Sequence, residues 1–253
     1  MELWKIFLLI VVSFFAGFLN VMAGGGSLLT LPVLIFLGLE GSVANGTNRV
    51  AILAQSVTSV LTFLKKGYFE FKRSLSLAIC TLPGVIIGAY YGTKLQGAWF
   101  NRVLALLMFV LMIVMSRNSD DPPEKSDLPP PEISSKRLFW AHFSMLFIGL
   151  YGGFIQVGVG LLLMVILKKV LRLDLVYVNM HKLFIVGFYT CVAIAIFGWK
   201  NQILWTTGFY LSIGYSLGGF VGSEVSIKKG ESTIKTVLNI VLIAMILELL
   251  WTA

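Results

Sequence analysis

Charge is scarce in this chain: Asp, Glu, Lys and Arg make up 13% of its 253 residues, against 57% apolar residues. That balance, with a mean hydropathy of +0.89, excludes an ordinary water-soluble globular domain. Carboxylates number only twelve, and Glu40, Asp174, Glu224 and Glu248 stand near the ends of apolar runs rather than in their middles. Cation carriage and carboxylate proton relays use such groups inside the membrane, so their absence favours an anion as cargo. The two cysteines, Cys80 and Cys191, lie in apolar runs without CxxC or Cys/His spacing, so neither a disulfide framework nor a zinc site is expected. With two histidines and no mid-span carboxylate, the chain offers little of the nucleophile, base or metal cluster that a membrane-embedded enzyme requires. No enzyme activity and no cofactor are expected.

What the chain has in abundance is long apolar runs. A run of about 18 residues or more is enough to cross a bilayer core of roughly 30 Å. Such runs lie near 4–22, 44–64, 74–93, 101–116, 138–157, 176–198, 203–223 and 234–252. Two shorter ones, 27–38 and 161–167, follow glycine-rich breaks and read as half-helices. Between them, 117–137 carries five of the seven prolines and five of the twelve carboxylates, the composition of a solvated linker. The net charge of +8 sits at the ends of apolar runs, where a topology signal is expected, and nucleic acid is not an expected partner.

A shift of 134 residues aligns 24–104 with the second half without gaps and gives 16 identities in 81 positions. It pairs Gly24 with Gly158, Gly26 with Gly160, Asn45 with Asn179, Lys66 with Lys200, Gly84 with Gly218, Gly88 with Gly222 and Lys94 with Lys228. These matches suggest a duplication. Equivalent loops differ in basic residues: 65–73 has four where 199–207 has one, and 168–172 has three where 34–38 has none. Cytoplasmic loops hold the excess of Lys and Arg, so equivalent loops are expected on opposite sides of the membrane. Placing 65–73, 117–137, 168–172 and 224–235 inside leaves Lys5, Lys94, Arg102 and Lys200 outside, with both termini outside. The expected architecture is all-α: a polytopic membrane protein of two inverted repeats, each a broken or re-entrant helical hairpin plus three spanning helices. Residues 1–116 form the first repeat, 117–137 a cytoplasmic linker and 138–253 the second repeat. One long kinked helix in place of each hairpin, with parallel repeats, is the competing reading.

Irregular backbone at membrane depth survives only when buried in protein or lining a watery cavity, so the breaks point towards a site. They run Ala23-Gly24-Gly25-Gly26-Ser27 in the first half, and Gly152-Gly153 through Val157-Gly158-Val159-Gly160 in the second. Glycine leaves N–H groups open at the start of the following half-helix, where the positive dipole end favours an anion. Helix packing by small residues is the alternative role. Beyond each half-helix comes a polar cluster, Asn45-Gly46-Thr47-Asn48-Arg49 and Asn179-Met180-His181-Lys182, in which the shift aligns Asn45 with Asn179, Thr47 with His181 and Asn48 with Lys182. Arg49 and Lys182 are the basic residues that fall in no loop, and ionisable groups within spans are candidates for function, with snorkelling as the alternative. The expected binding shell is Gly24, Gly25, Gly26, Ser27, Asn45, Thr47, Asn48 and Arg49, with Gly158, Gly160, Asn179, His181 and Lys182 from the second half. His181 is also a candidate for proton coupling, with hydrogen bonding or packing as its alternative role. Gln55 and Gln156 are possible additional polar contacts. The six tryptophans fit an interfacial belt.

The stretches AGGGSLLTLPVLIFLGL (23–39), ANGTNRVAI (44–52), TLPGVIIGAYYGTKL (81–95) and GLYGGFIQVGVGLLLM (149–164) resemble the sulfite exporter TauE/SafE family, also called the toluene-sulfonate uptake permease superfamily. The last departs from the expected glycine run by having Val157 and Val159. The resemblance implies export, or in some members uptake, of sulfite, sulfoacetate or other organosulfonates across a bacterial inner membrane. The expected partners are thus a small anionic substrate and the lipid bilayer, and homodimerisation is left open. An anion channel built from the same groups is the alternative to a carrier.

Overall fold

A computed structural model of the chain describes residues 3–95, 97–116 and 134–252, and among these every regular element is helical. Among the described residues nine helices follow one another: α1 (Leu3–Ala23), α2 (Gly26–Phe36), α3 (Gly41–Lys65), α4 (Phe71–Gly92), α5 (Gly97–Ser116), α6 (Ser135–Phe154), α7 (Val159–Leu171), α8 (Leu175–Trp199) and α9 (Trp205–Thr252). The apolar runs fall on these helices, and the two short runs are α2 and α7. α1, α4 and α8 are each long and apolar enough to cross a membrane unaided. The linker expected at 117–137 lies outside the described residues, apart from its last positions, where α6 begins.

Two expectations are corrected. The cytoplasmic loop placed at 224–235 does not form, and α9 runs unbroken through it. In the first half the equivalent stretch breaks before Gly97, whose φ of +60° suits glycine, whereas the 134-residue shift puts Glu231, a good helix former, in that place. An ion pair from Lys228 to Glu224 one turn earlier, 3.0 Å, further supports a continuous helix. Second, Gly152 and Gly153 belong to the last turn of α6, so the break in the second half is confined to residues 155–158.

The halves interlock. α1 packs along α9, and its counterpart α6 packs along α4. Glycines make the approach possible: a Cβ on Gly84 or Gly88 of α4 would strike the α6 backbone at Leu146, Leu150 or Phe154, and one on Gly214 or Gly218 of α9 would strike α1 at Ile10, Phe14 or Phe18. In lipid there is no hydrophobic drive between helices, so such close backbone contact supplies much of the attraction.

α3 and α8, equivalent under the shift, cross in opposite directions. Gly46 lies beside Phe197, Ser56 beside Gly187, and the ring of Tyr68 meets that of Tyr177 edge-on at 5.6 Å. This crossing gathers the α3–α4 turn and the start of α8 on one face of the molecule. Residues 224–228 join them there through Lys66 Nζ, 3.4 Å from Glu224. Lys94 and Lys200 meet on the other face over the ring of Tyr90, at 4.3 and 5.9 Å. Trp4, Trp99, Trp140, Trp199 and Trp205 are all exposed, as an interfacial belt requires.

Candidate functional site

The two breaks meet at the centre of the fold. Gly24 (φ +76°) and its counterpart Gly158 (φ +66°) both adopt the left-handed conformation that ends one helix and starts the next. The backbone of Gly24 packs directly on that of Gly160 and Leu161. Gly26 packs on α1 at Ala16 and Asn20, while a Cβ on Gly25 would meet only the Leu28 side chain. Gly25 and Gly158 are the N-caps of α2 and α7, and no side chain caps either helix. Two half-helix starts, each with N–H groups that have no partner within the helix, therefore converge on one seam.

The buried cations lie around this seam. Arg49 has no exposed surface. Its guanidinium donates to the carbonyls of Gly152 (2.9 Å) and Gly153 (2.6 Å), to Gln156 Oε1 (3.2 Å) and to Asn45 Oδ1 (3.5 Å), and it lies 4.6 Å from the centre of the Phe197 ring. Asn45 Nδ2 donates to Phe154 O at 2.9 Å. Arg49 and Asn45, one helical turn apart on α3, thus close the C-terminal end of α6.

Lys182 repeats the device from the other half. It is 1% exposed, and its ammonium donates to the carbonyls of Asn20 (3.1 Å) and Val21 (2.7 Å), the end of α1, and to Asn179 Oδ1 (2.8 Å). Asn179 Nδ2 donates in turn to Ser226 Oγ at 3.1 Å. Helix C-termini carry a partial negative charge of about one half, so they welcome a cation without neutralising it. Among the described residues neither cation pairs with a carboxylate. The Nε–H of Arg49 has no hydrogen-bond partner among the described residues. The centre therefore holds positive charge in excess.

Asn48 joins α3 to α2: its Nδ2 donates to Ser27 Oγ at 3.1 Å and its Oδ1 accepts from Thr30 Oγ1 at 2.8 Å, with Tyr215 of α9 3.0 Å from the same threonine. Thr30 and Tyr215 are absent from the expected shell, as are Asn20, bonded to Gln55 at 2.7 Å, and Thr190, bonded to Gln156 at 3.1 Å. Asn20 could have been found, being the asparagine in the last turn of an otherwise apolar span just before the glycine run. Tyr215 had no such signal.

Thr47 and His181 do not join this centre. Thr47 Oγ1 accepts from the N–H of Leu204 at 3.0 Å, where α9 starts, and His181 Nδ1 lies 2.8 Å from Ser74 Oγ near the start of α4. Each residue is two positions from its asparagine, about 200° round the helix, and so faces away. Replacing Thr47 with valine should cost about 1 kcal/mol, the worth of one such hydrogen bond, and leave anion binding unchanged. Thermal unfolding and a binding titration on the same sample check this; weakened binding would return Thr47 to the site. Cys191 is exposed on the outer surface of α8, away from the seam.

The centre is closed, since Ser27, Asn45, Asn48, Arg49, Asn179 and Lys182 are all buried. A cleft of about 490 Å³ opens elsewhere, between Ile35, Glu40, Gly41, Gly97 and Asn101, and no residue of the expected shell lines it.

Comparison with known proteins points to membrane transporters. The chain is 27% identical over 244 residues to a probable membrane transporter protein, ORF9, of a Sinorhizobium species, covering 96% of this chain and 91% of that one. It is 26% identical to a probable membrane transporter protein of Haemophilus influenzae over 90% and 88% of the two chains. It is 23% identical to the probable membrane transporter protein YfcA of Escherichia coli over 95% and 87%. No solved structure matches. The model of the family described as sulfite exporter TauE/SafE matches residues 9–249, and the chain belongs to that family of membrane transporters.

Proposed function

We propose that the protein carries a small sulfur-containing oxyanion, such as sulfite, sulfoacetate or a related organosulfonate, outward across a bacterial inner membrane by alternating access. The observation that carries this reading is the pair of buried cations, Arg49 and Lys182, set without carboxylate partners among the described residues, beside two converging half-helix starts. Unneutralised charge at membrane depth is costly and persists where function uses it. An oxyanion entering the seam would gain both cations and the open N–H groups of α2 and α7 in place of its water. The antiparallel crossing of α3 and α8 and the exchanged packing of α1 and α6 support two inverted repeats, residues 1–116 and 138–253, that rock about the seam. The closed centre then corresponds to an occluded stage of the cycle. Outward direction and sulfur chemistry come from the family description.

The test is calorimetric titration of the purified protein with sulfite, sulfoacetate, thiosulfate and sulfate, alongside Asn45→Ala and Lys182→Gln variants confirmed as folded. One sulfur oxyanion should bind the wild type, and both variants should weaken it tenfold or more, about 1.4 kcal/mol. Binding that survives both changes would move the site away from the seam. Steady single-channel currents in planar bilayers would replace the carrier with a channel.

A further inference from the structure

The shift that pairs Thr47 with His181 also pairs Leu204 with Glu70. Both pairs touch. In one half, Thr47 Oγ1 of α3 accepts from the Leu204 N–H before α9; in the other, His181 Nε2 of α8 lies 3.6 Å from Glu70 Oε2 before α4. The same joint between a long helix and the opposite half's fourth helix is thus uncharged at one end of the molecule and ionisable at the other.

The surroundings of His181 suit a proton-binding group. The imidazole is fully buried, whereas the Glu70 side chain keeps a third of its surface exposed, so the carboxylate stands between the ring and water. Nδ1 lies 2.8 Å from Ser74 Oγ, and that hydroxyl can donate onward to Met180 Sδ at 3.6 Å. With the hydroxyl so directed, Ser74 accepts from Nδ1–H, while Nε2 faces the Glu70 carboxylate across 3.6 Å, beyond hydrogen-bond length but within ion-pair reach. Nε2 has no hydrogen-bond partner, and Glu70 also pairs with Arg73 at 2.5 Å. The imidazole beside it, ahead of Arg73, holds the Glu70 carboxyl below its ordinary value, so the counter-charge stays in place.

Three other charged or polar groups of α8 turn elsewhere. On α8, Lys182 reaches the end of α1, Asn179 reaches Ser226 of α9, and Tyr177 meets Tyr68 of the α3–α4 turn. From α4 and the turn before it, the groups facing the ring are Ser74, Glu70 and, through Glu70, Arg73.

We propose that His181 and Glu70 form a proton-binding site on the basic face of the transporter, through which proton uptake is coupled to anion binding; this rests on the anion-carrier reading above. A proton from water reaches the Glu70 carboxylate and passes to His181 Nε2, which leaves the carboxylate ionised and the imidazole cationic. His181 adjoins Lys182, so the added charge strengthens the field an anion meets at the seam, and a bound anion favours the imidazolium in return. The Thr47 joint at the opposite end has no such group, so proton sensitivity belongs to one face.

The experiment is calorimetry of the full-length protein with sulfate and with sulfoacetate, neither of which titrates near neutral pH, in two buffers of different ionisation enthalpy. The wild type should bind more weakly as pH rises, by up to about tenfold per pH unit for one linked proton, with proton uptake on binding. His181→Gln, whose amide can still bond Ser74, should flatten the dependence to less than about twofold. Glu70→Gln, at the exposed rim, should also reduce it, and carries the test should His181→Gln fail to fold. A wild-type slope in both variants, or a flat wild type that still binds, overturns the proton site alone. If neither ion binds the wild type at any pH, the anion reading falls with it.

Discussion

Replacing Arg49 with alanine is expected to destabilise the protein by about 3–5 kcal/mol, the scale of several buried acceptors left unpaired at once, and to abolish anion binding. The reason lies in what is left behind. The Gly152 and Gly153 carbonyls end α6 and each accepts one guanidinium bond, while Gln156 and Asn45 accept one more each from the terminal nitrogens. Without the guanidinium these acceptors stay buried and unpaired, at about 1–3 kcal/mol each before relaxation. The ring of Phe197 also loses the cation lying over it. Arg49→Lys should fall between the two. An ammonium does the equivalent work in the other half, where Lys182 reaches two carbonyls and an amide oxygen. On α3, however, the fork spans acceptors that one nitrogen cannot serve together. Thermal unfolding in detergent, paired with titration of the bound anion, reads both effects. A melting temperature for Arg49→Ala within a degree or two of wild type would show that water satisfies the α6 carbonyls, and the cation would then be free to serve the anion alone.

Much of this centre was legible in the sequence, and the part that was not has identifiable causes. Arg49 and Lys182 stood out because they are basic residues inside apolar runs, and Asn45 and Asn179 because the 134-residue shift pairs them. Their partners were hidden because each cation closes a helix of the other half: Arg49 meets residues more than 100 positions away. Thr47 and His181 were grouped with the site by nearness in sequence, although helical rotation alone separates Thr47 from both Asn45 and Arg49. The continuity of α9 was obscured by its charged stretch 224–235, which reads as a loop until Glu231 is compared with Gly97 in the first half. Tyr215 carries no local sign, since a tyrosine in an apolar span is as readily an anchor as a ligand to Thr30. The fold was the easier part, because in lipid each spanning segment must satisfy its own backbone and so announces itself by length and hydropathy.

Gly24→Ala is expected to be the most damaging of the glycine substitutions, and three companion variants separate its causes. At Gly24 an alanine meets two penalties at once. Its φ of +76° disfavours any residue with a Cβ, by about 1–2 kcal/mol, and that Cβ would strike the backbone of Gly160 and Leu161. Gly38→Ala carries the first penalty alone, since φ there is +93° and nothing lies within 4 Å. Gly160→Ala carries the collision without a left-handed φ, because its Cβ would strike the Gly24 backbone. Gly25→Ala carries neither in full: its φ is −111° and its Cβ would meet only the movable Leu28 Cδ1 at 3.1 Å. The expected order of destabilisation is therefore Gly24 first, then Gly160, Gly38 and Gly25, with Gly25→Ala within about 1 kcal/mol of wild type. Backbone cannot rotate aside as a side chain can, so the collision must push the two breaks apart. Gly24→Ala and Gly160→Ala should accordingly lose anion binding, while Gly38→Ala keeps it despite a lower melting temperature. Equal binding in all four would mean that the Gly24–Gly160 contact is packing only, and that the anion is held elsewhere than between the half-helix starts.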